Sequence, residues 1–294
     1  MAIKITSALV RSLIPPRKKN SHKGDYGHVL IVAGSRNMTG AAVLCVNGAL
    51  RAGAGLVTLG AIKSVLPLIT KKLRPEAMVL PLDEANGMVS SKAAGKILDL
   101  IRVKKISSLA LGPGLGRGRA ITELAKKILS SAGVPIVIDA DGLNAVKPGD
   151  LKKARAGVII TPHPGEMSRL DGLKVREIQK ARGRTAKDFA AAAGAVCVLK
   201  GAGTIVSDGK KVFINTTGNP GMAKGGSGDV LTGMIAALIG QAKEPKLLNA
   251  ALCGVYLHGL AGDIAAAKKT QLGLLPGDIA ETIPEAARRV LKST

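Results

Sequence analysis

The stretch "VLIVAGSRNMTGAAVLCVNGALRAGAGLVTLG", residues 29–60, decides the fold class. It begins with a continuous apolar run at residues 29–34 and ends with another at residues 56–60. A helical pattern that closes in glycines lies between the two runs. Continuous apolar strands separated by a helix are typical of a parallel sheet that is covered on both faces. The stretch therefore predicts one strand–helix–strand unit of such a sheet.

The same alternation continues along the chain. Further apolar runs predict strands at residues 78–82, 108–112, 135–142, 157–166 and 195–201, and helical patterns, one of them over residues 175–194, follow several of them. Residues 203–215 predict a hairpin that turns at Asp208-Gly209, a strong two-residue turn signal. Helices dominate from there to the end.

The chain carries no linker, repeat or low-complexity stretch that would divide it. We therefore predict one α/β domain over residues 1–294, with residues 1–20 as a loosely packed N-terminal segment. Cys45, Cys197 and Cys253 lie in apolar surroundings without metal-type spacing, which predicts small core residues in a reducing compartment. No apolar run reaches the length of a membrane span, and we expect a cytoplasmic protein.

The composition limits the classes of function. The chain has 43 Lys and Arg against 20 Asp and Glu, a formal net charge of +23. Such a charge suits an anionic partner, but the spread of the basic residues along the chain favours a solvated basic surface. With no Trp, two Tyr and two Phe, the chain lacks the aromatic surface on which single-stranded nucleic acids stack.

Polar, glycine-rich segments follow five of the predicted strands. In open α/β sheets, ligands bind at the carboxyl ends of the strands, so five such loops predict one ligand site at that edge. The five segments are "GSRNMTG", "GPGLGRG", "DADGLN", "TPHPGE" and "KGAGT".

The second of these segments, within residues 111–118, does not match a dinucleotide-binding fingerprint, because Arg117 stands where the third glycine should be. Either an ordinary strand-to-helix turn or a loop that a large ligand passes closely would account for its glycines. The chain also contains no GxxxxGK[ST] motif, which excludes a P-loop nucleotide hydrolase.

The segment "GGSGDVLTGMIAALIG", residues 225–240, places glycines and one carboxylate before a helix that is predicted to begin near Gly228. Gly225, Gly226 and Gly228 let backbone N–H groups converge in front of a helix N-terminus, where an anion such as phosphate binds. Asp229 could cap the helix. Capping does not need three glycines, so we favour Asp229 as a general base beside a phosphate.

Two other loops offer groups for an anion or a metal. Two prolines flank His163, and Glu166 could hold Mg²⁺ through water, whereas a satisfied structural histidine is the alternative for His163. Lys200 could pair with phosphate, and Gly201 and Gly203 would allow a close approach. The alternative for this segment is a turn with a surface lysine.

Taken together, these loops resemble the ADP/ATP-dependent NAD(P)H-hydrate dehydratase family, a branch of the ribokinase-like fold. The resemblance covers essentially the whole chain after about residue 20. It is carried by "SHKGDYGHVLIVAGS" (21–35), "GAAVL" (40–44), "LGPGLGR" (111–117), "VIDADGLN" (137–144), "TPHPGEMSRL" (161–170), "VLKGAGT" (198–204), "NPGMAKGGSGDVLTG" (219–233) and "GVYLHGLAGD" (254–263).

The resemblance implies a three-layer α/β/α sandwich with a mostly parallel central sheet. It implies that Asp229 is the catalytic base that dehydrates the S form of hydrated NADH or NADPH, with ADP or ATP as phosphoryl donor and Mg²⁺. The hydrated cofactor would contact Ala41, Gly116, His163 and Asp229. The adenine nucleotide would contact Lys200, Gly201, Ala202, Gly203, Thr204, Asn219, Gly225, Gly226, Ser227 and Gly228.

Relatives of this kind form tetramers, and many carry an epimerase domain, so we expect a homo-oligomer that works beside a separate epimerase. Two other functions stay open. A kinase of the same superfamily would phosphorylate a small alcohol with the same Asp229, and a basic nucleic-acid-binding protein would bind with steep salt dependence. No helix-turn-helix, zinc or RNA-binding motif supports the latter, and we expect neither nucleic acid nor membrane as a partner.

Lys224 departs from the family pattern, because many relatives carry Thr there, whereas Ser227 in place of Thr keeps the hydroxyl. Lys224 adds a cation near the proposed phosphate site, so we expect a Lys224→Thr variant to change the KM for the nucleotide and leave turnover at saturating nucleotide unchanged. Steady-state kinetics over a nucleotide series would check this. Lower turnover at saturation would contradict it.

Overall fold

A computed structural model describes residues 2–242 and 246–292. The strands in this part of the chain are β1 Ile3–Ile5, β2 His28–Val32, β3 Leu56–Ile62, β4 Ala77–Leu82, β5 Glu84–Ala85, β6 Met88–Val89, β7 Ser108–Leu111, β8 Ile136–Ile138, β9 Val158–Ile160, β10 Val196–Leu199, β11 Ile205–Ser207 and β12 Val212–Asn215.

Ten of these strands form one sheet in the order β1-β12-β11-β10-β9-β8-β7-β2-β3-β4, and β5 and β6 form a separate small hairpin. Neighbouring strands from β10 to β4 run parallel. Only β11 runs against its two neighbours. The sheet is therefore mostly parallel, as the sequence predicts, and the hairpin after β10 is its antiparallel part.

Helices cover the sheet in two sets. They are α1 Ser7–Leu13, α2 Thr39–Arg51, α3 Leu66–Thr70, α4 Ala93–Val103, α5 Arg119–Ser131, α6 Asp141–Asn144, α7 Pro148–Lys152, α8 Pro164–Asp171, α9 Val175–Lys180, α10 Arg182–Ala193, α11 Ser227–Gly240, α12 Leu247–Gly273 and α13 Pro276–Lys292. Helices α1, α2, α11, α12 and α13 contact one another, and α4, α5, α7 and α10 form a second connected set. Buried aliphatic side chains fill the space between the helices and the sheet.

Each predicted strand lies where the sequence places it, but several are shorter than predicted, β8 and β9 by the most. β8 ends at Ile138 and β9 at Ile160, because the polar residues that follow leave the sheet and form loops at its edge. The three cysteines are buried and free, as predicted.

The predicted helix over residues 175–194 is two helices. The chain breaks at Ala181, whose φ of −135° and ψ of 38° are not helical. The break starts α10 at Arg182, whose Nη2 donates to the carbonyl of Leu199 at 3.0 Å.

The expectation that residues 1–20 pack loosely fails for the first part of this segment, which joins the fold, whereas residues 15–20 are exposed. β1 pairs with β12 and extends the sheet by one strand. Ile5 and Val10 are fully buried. Arg17 stacks on the ring of Tyr26 at 3.8 Å and donates to the Gly53 carbonyl. Two apolar residues of this segment, Ile5 and Val10, are therefore core residues, whereas Ile3 is exposed.

Among the described residues, α12 is long and apolar enough, by length and composition, to cross a membrane. However, 78% of its most apolar window is buried inside the fold. The core helix of a globular protein passes the same test, so this is weak evidence for a membrane span.

Helices α2 and α11 pack closely against each other through glycines. A Cβ added at Gly233 would overlap the carbonyl oxygen of Cys45, and one added at Gly48 would overlap that of Val230. These positions therefore exclude any side chain, because backbone atoms cannot move away as a flexible side chain can. The contact sets how α11, and with it Asp229, lies on the fold.

We predict that Gly233→Ala lowers the free energy of unfolding by about 1–3 kcal/mol, because the added methyl forces α2 and α11 apart. Gly95→Ala on α4 is the matched control, since its Cβ would meet nothing within 4 Å. It should be neutral or stabilising, because glycine in an exposed helix is unfavourable. Urea unfolding followed by circular dichroism measures both, and equal midpoints would contradict the prediction.

Candidate active site

The carboxyl ends of five parallel strands meet at one edge of the sheet. β10, β9, β8, β7 and β2 are consecutive neighbours, so the loops that follow them lie side by side. These are the five polar, glycine-rich segments of the sequence. The predicted edge is therefore a real cluster, and α11 begins beside it.

An ion pair lies at the centre of this edge. Lys200 Nζ, after β10, lies 2.6 Å from Asp139 Oδ1, after β8. Thr232 Oγ1 donates to Asp139 Oδ2 at 2.8 Å. Burial disfavours the Asp139 charge, but the Lys200 ammonium and these hydrogen bonds lower the pKa of Asp139 overall. Burial likewise opposes the Lys200 charge, and Asp139 and Glu166 raise its pKa.

The N-terminus of α11 carries no side-chain cap. Its N-cap is Gly226, with φ of 102°, and no side chain accepts a hydrogen bond there. A Cβ on Gly226 would lie 2.5 Å from Leu44 Cδ1, and one on Gly228 would lie 3.2 Å from Lys200 Nζ. At Gly225 a Cβ would meet nothing within 4 Å. The first N–H groups of a helix lack partners within it, so this end remains able to bind an anion.

Asp229 lies in the first turn of α11. Within residues 2–242 and 246–292 its carboxylate accepts no hydrogen bond, so the capping alternative fails. Burial, first, and then the charge of Asp139 raise the pKa of Asp229 to about 7, against the opposing effect of Lys200. A carboxylate with such a pKa takes up and releases a proton near neutral pH, which suits a general base.

His163 and Glu166 form a capping box at the start of α8. His163 Nδ1 accepts from the backbone N–H of Gly165 and Glu166, at 3.0 and 3.2 Å, and Glu166 Oε2 accepts from the His163 N–H at 2.8 Å. Glu166 Oε2 also lies 3.8 Å from Lys200 Nζ. The structural role for His163 is therefore real, although half of its side chain is exposed beside the edge.

The glycine loop after β7 has structural reasons for its glycines. Gly112, Gly114, Gly116 and Gly118 all have positive φ, between 63° and 147°. A Cβ on Gly112 would overlap the carbonyl oxygen of Asp139, and one on Gly114 would lie 2.9 Å from Ala41 Cβ. The turn interpretation thus accounts for these glycines without a ligand.

Gly116 and Ala41 nevertheless lie at the same edge. The N–H of Gly116 donates to Asp141 Oδ2 at 2.9 Å, and the charge of Asp141 acts on Asp229. Ala41 packs against Gly114 of the same loop. The structure thus brings Ala41, Gly116 and Asp229 to one region.

The loop of residues 200–204 is held by Arg182, which sequence analysis does not single out. Its guanidinium donates to the carbonyls of Leu199 and Ala202. Gly201 has φ of 141° and Gly203 of 59°, and Thr204 Oγ1 donates to the Gly201 carbonyl at 2.9 Å. The conformation of the loop is therefore fixed by hydrogen bonds within the protein.

The loop before α11 is likewise fixed. Asn219 Nδ2 donates to Asp263 Oδ1 at 2.9 Å, and Asp263 Oδ2 accepts from the Gly218 N–H at 2.9 Å. Ser227 Oγ donates to the Met222 carbonyl at 2.8 Å. Lys224 Nζ donates to the carbonyl of Leu272 at 2.8 Å, so its cation lies where α12 ends.

The donor set limits how Mg²⁺ could be held. No group of three or more His, Cys, Asp or Glu side chains in the described part of the chain is arranged around a metal position. Glu166 keeps Oε1 free of backbone donors, as its Oε2 takes the His163 N–H. One carboxylate oxygen fits an ion that keeps its waters and takes further oxygens from phosphate.

Several buried polar side chains in and around these loops are not among the residues predicted from the sequence. Asp139 and Thr232 are both buried polar residues, and His258 on α12 is buried with an Nε2 that lacks a partner among the described residues. Burial lowers the pKa of His258 to about 4, so it is neutral. A charged residue directly after the apolar run "PIVI" is the signal that could have found Asp139.

Comparisons with known proteins identify relatives over nearly the whole chain. A bifunctional NAD(P)H-hydrate repair enzyme of Moorella thermoacetica is 43% identical over 291 residues, which are 97% of this chain and 54% of that protein. The chain spans about half the length of the first such curated relatives. The ADP-dependent (S)-NAD(P)H-hydrate dehydratase of Bacillus subtilis is 37% identical over 286 residues, which are 97% of this chain and 97% of that protein.

Solved structures share the fold. The crystal structure of ADP/ATP-dependent NAD(P)H-hydrate dehydratase from Bacillus subtilis, co-crystallised with ATP and Mg²⁺, has a TM-score of 0.85 and 34% identity over 98% of this chain and 99% of that one. A ribokinase-like superfamily protein from Enterococcus faecalis has a TM-score of 0.80 and 25% identity, over 99% and 97% of the two chains. The predicted ribokinase-like α/β fold is thereby confirmed.

A protein-family model described as NAD(P)H-hydrate dehydratase matches residues 29–285, which include most of β2, the whole strand-end cluster and the N-terminus of α11. The predicted family is therefore confirmed, and the chain belongs to the NAD(P)H-hydrate dehydratase family.

Proposed function

We propose that the chain is a hydro-lyase that returns the S form of hydrated NADH or NADPH to NADH or NADPH, with hydrolysis of ADP to AMP and phosphate. The observation that carries this proposal is Asp229, which lies unbonded in the first turn of an uncapped helix beside Lys200. The name of the Bacillus subtilis relative, which matches over 97% of its length, supports the substrate and the donor.

In this proposal, phosphoryl transfer turns the hydroxyl of the hydrated ring into a good leaving group. The hydrated ring carries a hydroxyl at carbon 6, and hydroxide leaves poorly. Asp229 accepts the hydroxyl proton while the oxygen attacks the terminal phosphorus of ADP, and AMP leaves. The ring nitrogen lone pair then expels phosphate, and loss of a ring proton restores the double bond. The N–H groups of the α11 N-terminus stabilise the charge on the transferred group.

The two ligands have separate places in this proposal. The hydrated cofactor lies over Ala41, Gly116 and His163 and presents its hydroxyl to Asp229. A Cβ added at residue 225 would meet nothing within 4 Å, so the fold does not require a glycine there. We therefore assign the exposed backbone of Gly225 to phosphate binding. The nucleotide contacts are Lys200, Gly201, Ala202, Gly203, Thr204, Asn219, Gly225, Gly226, Ser227 and Gly228.

We place Mg²⁺ beside Glu166, held through water and phosphate oxygens, where it would neutralise charge on the donor phosphates. The co-crystals of the Bacillus subtilis enzyme with ATP and Mg²⁺ support a nucleotide and a divalent ion in this family. We also propose a cytoplasmic homo-oligomer that works with a separate epimerase, and the bifunctional NAD(P)H-hydrate repair enzymes, about half of whose length this chain spans, are consistent with a second activity in the same repair.

A small-alcohol kinase is the second candidate, because it would use the same base and the same helix N-terminus. The two functions differ in the product. Purified protein is mixed with hydrated NADH and Mg²⁺, with ADP or ATP added in turn, and absorbance at 340 nm is followed. A nucleotide-dependent rise supports the dehydratase. No rise from folded, ADP-binding protein favours the kinase, which a screen of alcohols would then identify.

We predict that Asp229→Asn lowers kcat by roughly 10²–10⁴-fold, because an amide cannot accept the hydroxyl proton. Nucleotide binding, measured by calorimetry, should persist, since the N–H groups of α11 remain. The control is Asp188→Asn, an exposed acid on α10 that pairs with Arg184. A variant at residue 229 with wild-type turnover would exclude the residue as the base.

The pH dependence has a defined direction. The pKa of Asp229 is raised to about 7, and the base must be deprotonated to act. We therefore expect kcat/KM to increase with pH up to about 7 and to fall about tenfold per unit below it. Initial rates between pH 5 and 9 measure this limb. A profile that stays flat down to pH 5 would contradict the assignment.

A further inference from the structure

The side chain of Asp139 joins three elements of the site. It lies directly after β8, is 1% exposed, and accepts from Lys200 Nζ at 2.6 Å and from Thr232 Oγ1 at 2.8 Å. Lys200 follows β10, and Thr232 is one helical turn after Gly228 on α11. One buried carboxylate therefore ties the ends of two strands to the helix that carries Asp229.

Stability alone does not explain this arrangement. Removing a carboxylate and an ammonium from water is costly, and a buried ion pair often stabilises a fold no better than apolar residues of similar volume. The site also holds an excess of negative charge, because Glu166 lies 3.8 Å from Lys200 and Asp229 acts on the same ammonium. Gathering three carboxylates around one lysine indicates a role in the chemistry.

We propose that Asp139 is a positioning residue for the catalytic base, holding Lys200 beneath the Gly228 turn and placing a fixed negative charge beside Asp229. The proposal rests on the proposed function and deepens it. The position of Lys200 follows from geometry, since a Cβ on Gly228 would lie 3.2 Å from Lys200 Nζ and 3.6 Å from Asp139 Oδ2. Glycine at residue 228 thus leaves room for this pair.

The charges around Asp229 determine in which direction its pKa should move when Asp139 is replaced. Asp139 after β8, Asp141 on α6 and Glu166 on α8 oppose its ionisation, and Lys200 favours it. Two further groups stay uncharged near neutral pH: burial lowers the pKa of His258 on α12 to about 4 and raises that of Cys45 on α2. Removing the Asp139 charge therefore lowers the pKa of Asp229.

The first test compares Asp139→Asn with Thr232→Val by pH–rate profiles. Asp139→Asn removes the charge at constant shape, so the acid limb of kcat/KM should move to lower pH by ~0.5 unit or more. Thr232→Val removes one hydrogen bond to the same carboxylate and keeps the charge, so its limb should stay at the wild-type pH. If both variants lose activity with unmoved limbs, Asp139 is only structural and the proposal fails.

A second measurement does not depend on turnover. The ¹³C signal of the Asp229 carboxyl, assigned by its loss in Asp229→Asn, is titrated in protein without substrate. Its midpoint should be lower in Asp139→Asn than in wild type, and an equal midpoint would overturn the proposal. Wild-type protein that titrates as expected but never dehydrates hydrated NADH would instead contradict the proposed function.

A paired background covers the case in which Asp139→Asn does not fold because Lys200 is left buried without its partner. The double variant Lys200→Met/Asp139→Asn removes both members of the ion pair and leaves neither charge without its partner. Because the charge of Asp139 acts on Asp229 more strongly than that of Lys200, the midpoint of Asp229 should be lower in the double variant than in wild type. An equal or higher midpoint would overturn the proposal.

Discussion

The ion pair between the buried Asp139 and the partly buried Lys200 is the interaction on which the rest of the site depends. It connects the ends of β8 and β10, which are separated in the sheet by β9, and through Thr232 it reaches α11. A charge inside a protein must be paired or it neutralises itself, so this contact leaves little freedom to its members. The loops that carry these residues are held in place by the same contact.

The glycines of this edge divide into two groups by physical cause. Gly112 and Gly226 are required by the fold, because their φ values are positive and a side chain would collide with Asp139 or Leu44. Gly228 makes room for Lys200. Gly225 has an ordinary φ and open space where a side chain would lie, so packing does not explain it. A glycine-rich motif is thus a mixture of structural needs and exposed backbone, and spacing alone cannot separate them.

The sequence predicts the parallel strands, the hairpin and the start of α11, because long apolar runs and a helix-initiating glycine segment are strong local signals. It misses β1, because three residues with one buried side chain carry almost no pattern, and the strand forms only by pairing with β12. It also joins α9 to α10, since the break at Ala181 has no proline or glycine to mark it at that position. Both errors arise where tertiary contacts override a local pattern.

By itself, the sequence determined the fold class, the edge at which the loops gather and the choice of Asp229 as the candidate base, because periodicity and motif order are properties of the chain. Only the tertiary structure decided that Asp139, Lys200 and Thr232 meet. Along the chain, Lys200 lies 61 residues and Thr232 lies 93 residues from Asp139. The tertiary structure also decided that the N-terminus of α11 has no side-chain cap and that burial and nearby charges raise the pKa of Asp229 to about 7. Burial and the charges of distant residues set a proton affinity, and neither can be read from a residue's neighbours in sequence.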